Sequence, residues 1–421
     1  MTVPPDTRTA DPLLSALDRD ALRAVLEPPG RMLPAAAYLD PGVLAWERRE
    51  VFDAGWVCLG RADALARPRS RLAFPLGSPD GEGPYGAASV LLVRGEDGVL
   101  RGFHNSCRHR GHELLPCATD APAGRPRFLA CPYHAWVYDL TGRLVRVPAL
   151  DDGEPVAIGA AVPAARSLPA DADRLGLIEV PVAEWQGFVL ANLDGTAPPL
   201  AEWTSGLDEL LAPYGLVDLT PAAIHRYTLR ANWKLIVENY HECFHCPAIH
   251  PELCQVSSPD SGLDCGGPGQ WHGGHMQLEP GVRTMSLDGT GSGPLLPGLT
   301  PGLRDRVYYL QLFPQLLLSP HPDYVMVHRL VPTGPDTTWV ECQWLFPADR
   351  PAGFDPGYAV DFWDLTNRQD WTACESVQRG VSSPGYRPGP LSAWHERVVA
   401  GSIQHLARAY LDGAVGAVRT P

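Results

Sequence analysis

Apolar positions in this chain follow helical spacing in some segments and strand-like alternation in others. Residues 18–27 repeat apolar side chains every three or four positions behind Asp18, which can cap the first turn. Residues 39–54 repeat the same spacing. The pattern predicts a helical N-terminal arm over residues 1–45, with the end of the second helix leading into the next segment.

Short strands dominate the following part of the chain. Residues 88–93 and 99–103 are rich in apolar and β-branched side chains and flank a Gly-Glu-Asp-Gly turn at 95–98, which is a hairpin signal. A second pair of short strands flanks Thr141-Gly142. These hairpins predict a small all-β domain over residues 46–165.

The last part of the chain, residues 166–421, mixes both patterns. Strands that alternate with a few helices and end in two long helices indicate an α+β domain, in which helices pack on a curved antiparallel sheet. We predict strands at 187–193, 225–230, 306–313, 315–319, 324–332 and 338–346, and helices at 202–211, 232–244, 358–381 and 391–410.

The composition of the 421 residues is that of an ordinary globular protein, with 45% hydrophobic and 19% charged residues. The net charge of −14 argues against a nucleic-acid partner, because binding phosphates requires a basic surface. No apolar run reaches the length of a membrane span, and the N-terminus lacks the features of a secretory signal. We therefore expect a cytoplasmic protein whose ten cysteines are metal ligands or buried thiols.

Two short motifs each pair one cysteine with one histidine. Cys107 and His109 are two positions apart, and Cys131 and His134 are three apart, so each pair can sit on one tight loop. Two such loops facing each other suit a Rieske [2Fe–2S] cluster, in which histidines replace cysteines on one iron. Structural zinc is the alternative, but zinc sites usually keep cysteine pairs and histidine pairs separate.

Another motif places carboxylates and histidines close together. Glu238, Glu242 and His245 share one face if a helix runs through them. Pro247 cannot continue that helix, and a turn there can bring His250 back beside His245. Two histidines and one carboxylate are the ligands of a mononuclear non-heme Fe(II) that keeps positions open for O2.

Residue type alone leaves more than one interpretation for several other side chains. Three carboxylates of the predicted helix over 358–381 compete for the third ligand position: Asp361, Asp364 and Asp370. Three histidines are ambiguous, which are His241, His272 and His275, and of these His275 follows a glycine-rich loop and suits either a pocket wall or a structural or loop role. Four cysteines are interpreted as buried thiols: Cys117, Cys243, Cys246 and Cys254.

The segments Phe-His-Asn-Ser-Cys-Arg-His-Arg-Gly at 103–111 and Cys-Pro-Tyr-His-Ala-Trp at 131–136 resemble the two Rieske loops of the large (α) subunits of Rieske non-heme iron oxygenases. Ala135 stands where many relatives carry Gly, and the insert over 114–130 is a little longer than usual. The resemblance implies an all-β Rieske domain followed by a catalytic domain with a helix-grip, START-like fold. It also implies the ligands, which are Cys107, His109, Cys131 and His134 for the cluster and His245, His250 and Asp370 for the mononuclear iron.

The same resemblance implies a role for Glu242. In the family, an acidic residue at this position bridges a cluster histidine of one subunit and an iron histidine of its neighbour, which implies a homotrimer in which electrons cross between subunits. Most relatives carry Asp here, and Glu is typical of the branch of choline, carnitine and glycine betaine oxygenases. The alternative for Glu242 is a solvated helix carboxylate.

The resemblance implies an enzyme that consumes O2 and two electrons to oxidise a small molecule. No Gly-rich dinucleotide motif follows a strand, so NAD(P)H would be used indirectly through a separate ferredoxin or flavin reductase. Residues 31–34, 284–289 and 318–326 resemble the quaternary-amine branch, which predicts hydroxylation or N-demethylation of a quaternary-amine-like substrate. The alternatives are aromatic-ring hydroxylation and a Rieske electron carrier without oxygen chemistry. Aromatic faces for a cation could come from six residues that also suit the core: Tyr308, Tyr309, Phe313, Trp344, Phe362 and Trp363.

Overall fold

The computed structural model describes residues 11–117, 124–148, 168–416 and 418. The chain divides into two compact units, of which one is Cys58–Thr196 and the other combines Met1–Val57 with Ala197–Pro421. The expected boundary at residues 165–166 lies outside the described residues. Within the described residues, no helix is both long and apolar enough to cross a bilayer.

The smaller unit consists of short antiparallel strands. Three sheets have the orders β2-β3-β4-β8, β5-β6-β7 and β1-β10-β9. The strands are β1 (Val57–Arg61), β2 (Arg71–Pro75), β3 (Ser89–Arg94), β4 (Leu100–His104), β5 (Phe128–Ala130), β6 (Val137–Asp139), β7 (Leu144–Arg146), β8 (Glu179–Val180), β9 (Val182–Trp185) and β10 (Phe188–Ala191).

The hairpin predicted at residues 95–98 joins β3 to β4. The Gly95 N–H donates to the carbonyl of Val99 at 2.9 Å, and Gly98 takes a φ of 77°, which glycine adopts without a steric penalty. The strands bury one apolar cluster that also contains Cys107 and Cys131, just beyond the ends of β4 and β5. The two predicted cluster loops therefore start from fixed strand ends.

The larger unit is built on a seven-stranded antiparallel sheet with the order β11-β17-β16-β15-β14-β13-β12. Strands β15, β16 and β17 are buried along almost their whole length, which indicates cover on both faces. The strands are β11 (Leu219–Leu229), β12 (Leu263–Gly266), β13 (Trp271–Gln277), β14 (Arg306–Leu312), β15 (Leu316–Pro320), β16 (Val325–Gly334) and β17 (Thr337–Pro347).

The α-helices of the larger unit come from both of its chain segments. They are α1 (Arg19–Val25), α2 (Ala36–Leu39), α3 (Pro41–Glu47), α4 (Leu200–Trp203), α5 (Leu207–Leu211), α6 (Trp233–Tyr240), α7 (Cys246–Ile249), α8 (Leu253–Val256), α9 (Gly357–Val381) and α10 (Arg397–Asp412). Helices that pack on an antiparallel sheet, together with the all-β unit, confirm the predicted α+β class.

A buried ion pair joins α3 to α6. Glu47 is fully buried and accepts hydrogen bonds from Lys234 Nζ at 2.6 Å and Trp233 Nε1 at 2.8 Å. The Tyr410 hydroxyl of α10 donates to the same carboxylate. Because a buried charge is tolerated only when it is paired and hydrogen-bonded, this network fixes the arm against the helices that carry the site.

Four helix predictions had incorrect bounds, and the helix predicted over 202–211 is divided into α4 and α5 by a turn at residues 204–206. The segment predicted over 39–54 is split into α2, α3 and a π-helical turn at Arg48–Asp53. The helix predicted over 391–410 begins only at Arg397. The helix predicted over 232–244 ends at Tyr240, so that Glu242 and His245 lie beyond it on a turn.

Candidate active site

The two predicted cluster loops have the same backbone design. The Cys107 N–H donates to His112 O at 2.8 Å, and the Cys131 N–H donates to Trp136 O at 2.8 Å, so each loop closes on its cysteine. Ala135 adopts a φ of 53°, a left-handed conformation that favours glycine. Glycine adopts this backbone conformation without a steric penalty, whereas an alanine is strained in it.

The four predicted cluster ligands lie together, with sulfur inside and imidazole outside. Cys107 and Cys131 are each 3% exposed, whereas His109 is exposed and His134 is intermediate. The two imidazole rings are 4.7 Å apart between centroids, and His109 stacks on Trp136 at 5.0 Å. This separation of sulfur from nitrogen matches a cluster with one iron on each pair.

The environment of the two thiols also fits a bound cluster. Burial raises the pKa of Cys107, the neighbouring Cys131 raises it further, and the Tyr138 hydroxyl opposes the rise. That hydroxyl lies 3.3 Å from Cys107 Sγ and accepts the Arg108 N–H at 3.0 Å. Adjacent buried thiols become stable thiolates when iron supplies the compensating charge.

The three predicted iron ligands converge at one point. His250 Nε2 lies 2.8 Å from Asp370 Oδ1, His245 Nε2 lies 3.3 Å from the same oxygen, and the two Nε2 atoms are 3.1 Å apart. His250 is 1% exposed. Among the described residues, these three form the group of donor atoms with the spacing of a metal site.

The turn that brings the histidines together differs from the predicted helix break. After α6 ends, the Glu242 carboxylate accepts the backbone N–H groups of Phe244 and His245, which holds a turn in place of a continuing helix. Pro247 then lies in the first turn of α7, and His250 follows its last residue. The short α7 reverses the chain and returns His250 to His245.

Each imidazole is oriented by a second residue. His245 Nδ1 donates to Glu242 Oε1 at 2.5 Å, and His250 Nδ1 donates to Gln369 Oε1 at 2.6 Å. A proton on Nδ1 leaves the Nε2 lone pair free to bind a metal. Sequence reasoning missed Gln369, although its place directly before Asp370 on α9 was a usable signal.

The donor set fits a cation. Burial disfavours the protonated form of His245, but the carboxylates of Asp370 and Glu242 outweigh it and raise its pKa to about 10. Three lone-pair atoms this close need a positive charge between them, which Fe(II) can provide in place of a proton. Two rival carboxylates lie elsewhere, since Asp361 is exposed and Asp364 bonds to Tyr227 and Arg368.

A cavity opens onto these three residues. Of the six aromatic residues considered for a cation, Tyr309 and Trp363 line it and the other four do not. Tyr240 adds a third ring, 5.8 Å from Tyr309, while Trp363 lies 6.3 Å away on α9. The cavity also has four acidic residues in its walls, which are Glu242, Asp260, Asp264 and Asp370, and its described lining contains neither Arg nor Lys.

Two of the cysteines interpreted as buried thiols are bonded to each other. Cys243 and Cys246 form a disulfide on the turn that carries His245. Their Cys-x-x-Cys spacing was the signal for it. Cys117 and Cys254 remain free thiols, and Cys117 is exposed rather than buried.

Comparison with known proteins supports a chain that consists of a cluster domain and a catalytic domain. Residues 55–166 match the Rieske [2Fe-2S] domain, and residues 216–412 match the catalytic domain of the ring hydroxylating alpha subunit. The glycine betaine monooxygenase oxygenase subunit of Chromohalobacter salexigens is 31% identical over 92% of this chain and 87% of its own. The carnitine monooxygenase oxygenase subunit of Escherichia coli K12 is 30% identical over 84% and 85% of the two chains.

Solved structures share the fold at lower identity. The quaternary ammonium Rieske monooxygenase CntA aligns with a TM-score of 0.72 and 24% identity over 94% of this chain and 98% of its own. Naphthalene 1,2-dioxygenase from Rhodococcus sp. aligns with a TM-score of 0.68 and 21% identity, over 93% and 97%.

A [2Fe–2S] domain joined to a mononuclear iron domain defines an oxygenase component. The chain belongs to the family of Rieske non-heme iron oxygenase alpha subunits, as predicted, and its cofactors are a Rieske cluster and a mononuclear iron.

Proposed function

We propose that the chain hydroxylates an N-methyl carbon of a quaternary ammonium compound. The observation that carries this proposal is the cavity, in which aromatic rings and carboxylates surround the predicted iron site without a described cationic side chain in the wall. Aromatic faces attract a methylammonium cation, and the surrounding negative charge favours it further. Relatives named for glycine betaine and carnitine support the same substrate class.

Tyr309 is the central ring of the proposed substrate site. Its hydroxyl is buried without a partner among the described residues, and burial together with the nearby Asp370 charge raises its pKa. The hydroxyl therefore stays protonated and available as a donor. Trp363 has its Nε1–H bonded to Tyr324 and His321, which fixes the indole in the cavity wall.

In this proposal Cys107, His109, Cys131 and His134 hold the Rieske cluster, and His245, His250 and Asp370 hold the iron. The bound metals supply electron delivery and O2 activation. The protein residues position the substrate methyl group and keep the imidazoles in the required tautomer. Hydroxylation of an N-methyl carbon gives a carbinolamine, which releases formaldehyde and the demethylated amine.

The electrons come from a separate ferredoxin or flavin reductase that oxidises NAD(P)H, and the proposed location of the chain is the cytoplasm. Glu242 connects the iron ligand His245 to the cluster of a neighbouring subunit in a homotrimer. The exposed Phe244 and Trp394, at 57% and 65%, lie on the same rim of the cavity and suit burial against another copy of the chain.

The deciding experiment measures O2 uptake by the purified chain with a reductase of a related two-component system. Choline, glycine betaine and carnitine are each compared with naphthalene, which represents the aromatic-ring alternative. The proposal expects one formaldehyde per O2 from a methylated amine and no oxidised naphthalene. A dihydrodiol from naphthalene, with no formaldehyde from any amine, would establish the alternative.

A further inference from the structure

A second cavity lies deeper in the larger unit, and every residue that lines it is buried. It has room for about one water molecule. Four polar atoms of its lining residues have no hydrogen-bond partner among the described residues: Glu238 Oε2, His272 Nδ1, Gln311 Oε1 and His405 Nε2. Because buried polar atoms are usually satisfied by protein or water, this cavity suits an ordered water.

A chain of hydrogen bonds leads from this cavity to the iron-site cavity. His272 Nε2 lies 2.6 Å from Ser402 Oγ, which lies 3.4 Å from His241 Nδ1. Ser402 also donates to Val398 O at 3.1 Å, so its hydroxyl can donate either to this carbonyl or to His241 Nδ1. His241 lines the iron-site cavity, and its Nε2 has no partner among the described residues.

The protonation states suit proton transfer along this chain. Burial raises the pKa of Glu238 to about 8, although the Tyr38 hydroxyl and Lys234 both oppose the rise. Burial lowers the pKa of His272 to about 3 and that of His241 well below its usual value. At neutral pH the carboxyl therefore keeps its proton, while each neutral imidazole can accept a proton on one nitrogen and release one from the other.

We propose that Glu238, His272, Ser402 and His241 form a proton relay into the iron-site cavity. Hydroxylation of a C–H bond consumes O2, two electrons and two protons and yields the alcohol and one water, and the relay supplies one of these protons. Glu238 Oε2–H passes its proton through the cavity water to His272 Nδ1. The Nε2 proton of His272 moves to Ser402 Oγ, the Ser402 proton moves to His241 Nδ1, and His241 releases its Nε2 proton. Each imidazole then carries its proton on the other nitrogen, so both rings must return to the starting tautomer, and Glu238 must regain a proton from solvent, before the next turnover.

The first test uses the resting protein and needs no substrate. Infrared spectra in H2O and D2O should contain the carbonyl band of a protonated carboxylic acid, sensitive to deuterium and lost in Glu238→Gln. The same band in the variant, or its absence in the wild type, would overturn the relay. Failure here concerns the relay alone, since the relay depends on O2 reduction and not on the identity of the substrate.

The second test follows turnover in Ser402→Ala and Glu238→Gln. Each should lower the product formed per O2 at least fivefold, release the missing oxygen as hydrogen peroxide and increase the solvent deuterium isotope effect, with iron and cluster content unchanged. Ser402→Thr keeps the hydroxyl and should restore coupling. The matched control is Ser382→Ala, which removes a serine hydroxyl that also donates to the carbonyl four residues back but lines neither cavity. Wild-type coupling in both variants, or loss of iron in either, would refute the proposal.

Discussion

Glu242 accepts a hydrogen bond from Nδ1 of His245 at 2.5 Å, three residues along the chain. Its carboxylate also accepts the backbone N–H groups of Phe244 and His245. The carboxylate therefore forms the turn and orients the imidazole, and the alternative of a solvated helix carboxylate does not describe it. Both interactions are present within a single chain, before any neighbouring subunit is considered.

Glu242→Gln should leave both metals bound and slow electron transfer from cluster to iron at least a hundredfold. The amide keeps the shape of the side chain but loses the charge that couples the two centres. Oxidation of the reduced cluster in a single turnover, followed by absorbance, measures this step. Glu209→Gln, an exposed change on α5, is the control, and an unchanged rate in Glu242→Gln would remove the proposed bridge.

Asp370→Ala should lose the mononuclear iron and all product formation while the visible spectrum of the cluster stays unchanged. The variant removes the carboxylate that meets both Nε2 atoms. Iron analysis per chain, together with the spectrum, gives the result. Asp361→Ala on the same helix should behave as wild type, and retention of the mononuclear iron in Asp370→Ala would reassign the ligand.

Gln369→Leu should weaken iron binding about 10–100-fold, because the acceptor that fixes His250 Nδ1 is lost. Gln369→Glu keeps an acceptor at this position and should retain most of the affinity. Iron titration into the chelated protein compares the two variants. Equal iron affinity in the Leu and Glu variants would show that His250 does not depend on this bond.

Trp363→Leu should raise the KM for a quaternary ammonium substrate about 5–30-fold, which corresponds to a cation–π contribution of about 1–2 kcal/mol. Phe362→Leu is the matched control, since this neighbouring ring is buried on the same helix but does not line the cavity. Steady-state O2 uptake measures both. A similar rise in the two variants would indicate a packing defect and not a substrate contact.

The stability of the wild type relative to Glu238→Gln should fall as the pH rises from about 4.5 to about 8. The unfolded carboxyl ionises near 4.5, whereas the folded one keeps its proton until about 8, so the unfolded state is increasingly favoured across this window. Urea unfolding of both proteins at pH 5 and pH 8 measures the difference. A difference that does not change with pH would mean that Glu238 titrates normally in the folded state.

The sequence was informative wherever short spacing determines geometry. One residue between Cys107 and His109 was enough to predict a tight loop that the structure contains, whereas Pro247, which was predicted to end the helix, lies in the first turn of α7. It was less informative where side chains compete with the backbone, as at Glu242, whose hydrogen bonds end α6 early. Tyr240, Tyr309 and Trp363 come together only through sheet register and helix packing, which no local pattern encodes.

Helix α9 contributes Asp370 to the predicted metal ligands, Gln369 as the hydrogen-bond acceptor for the imidazole of His250, and Trp363 to the cavity wall. A one-residue insertion in this helix would rotate all three by about 100° and disrupt them together. Strands contribute Met276, Tyr309 and Met326 to the cavity wall, and none of these three residues is a predicted metal ligand. Evolution and engineering of new substrate preferences in this enzyme are therefore expected to proceed through the strands, while the helix stays constant.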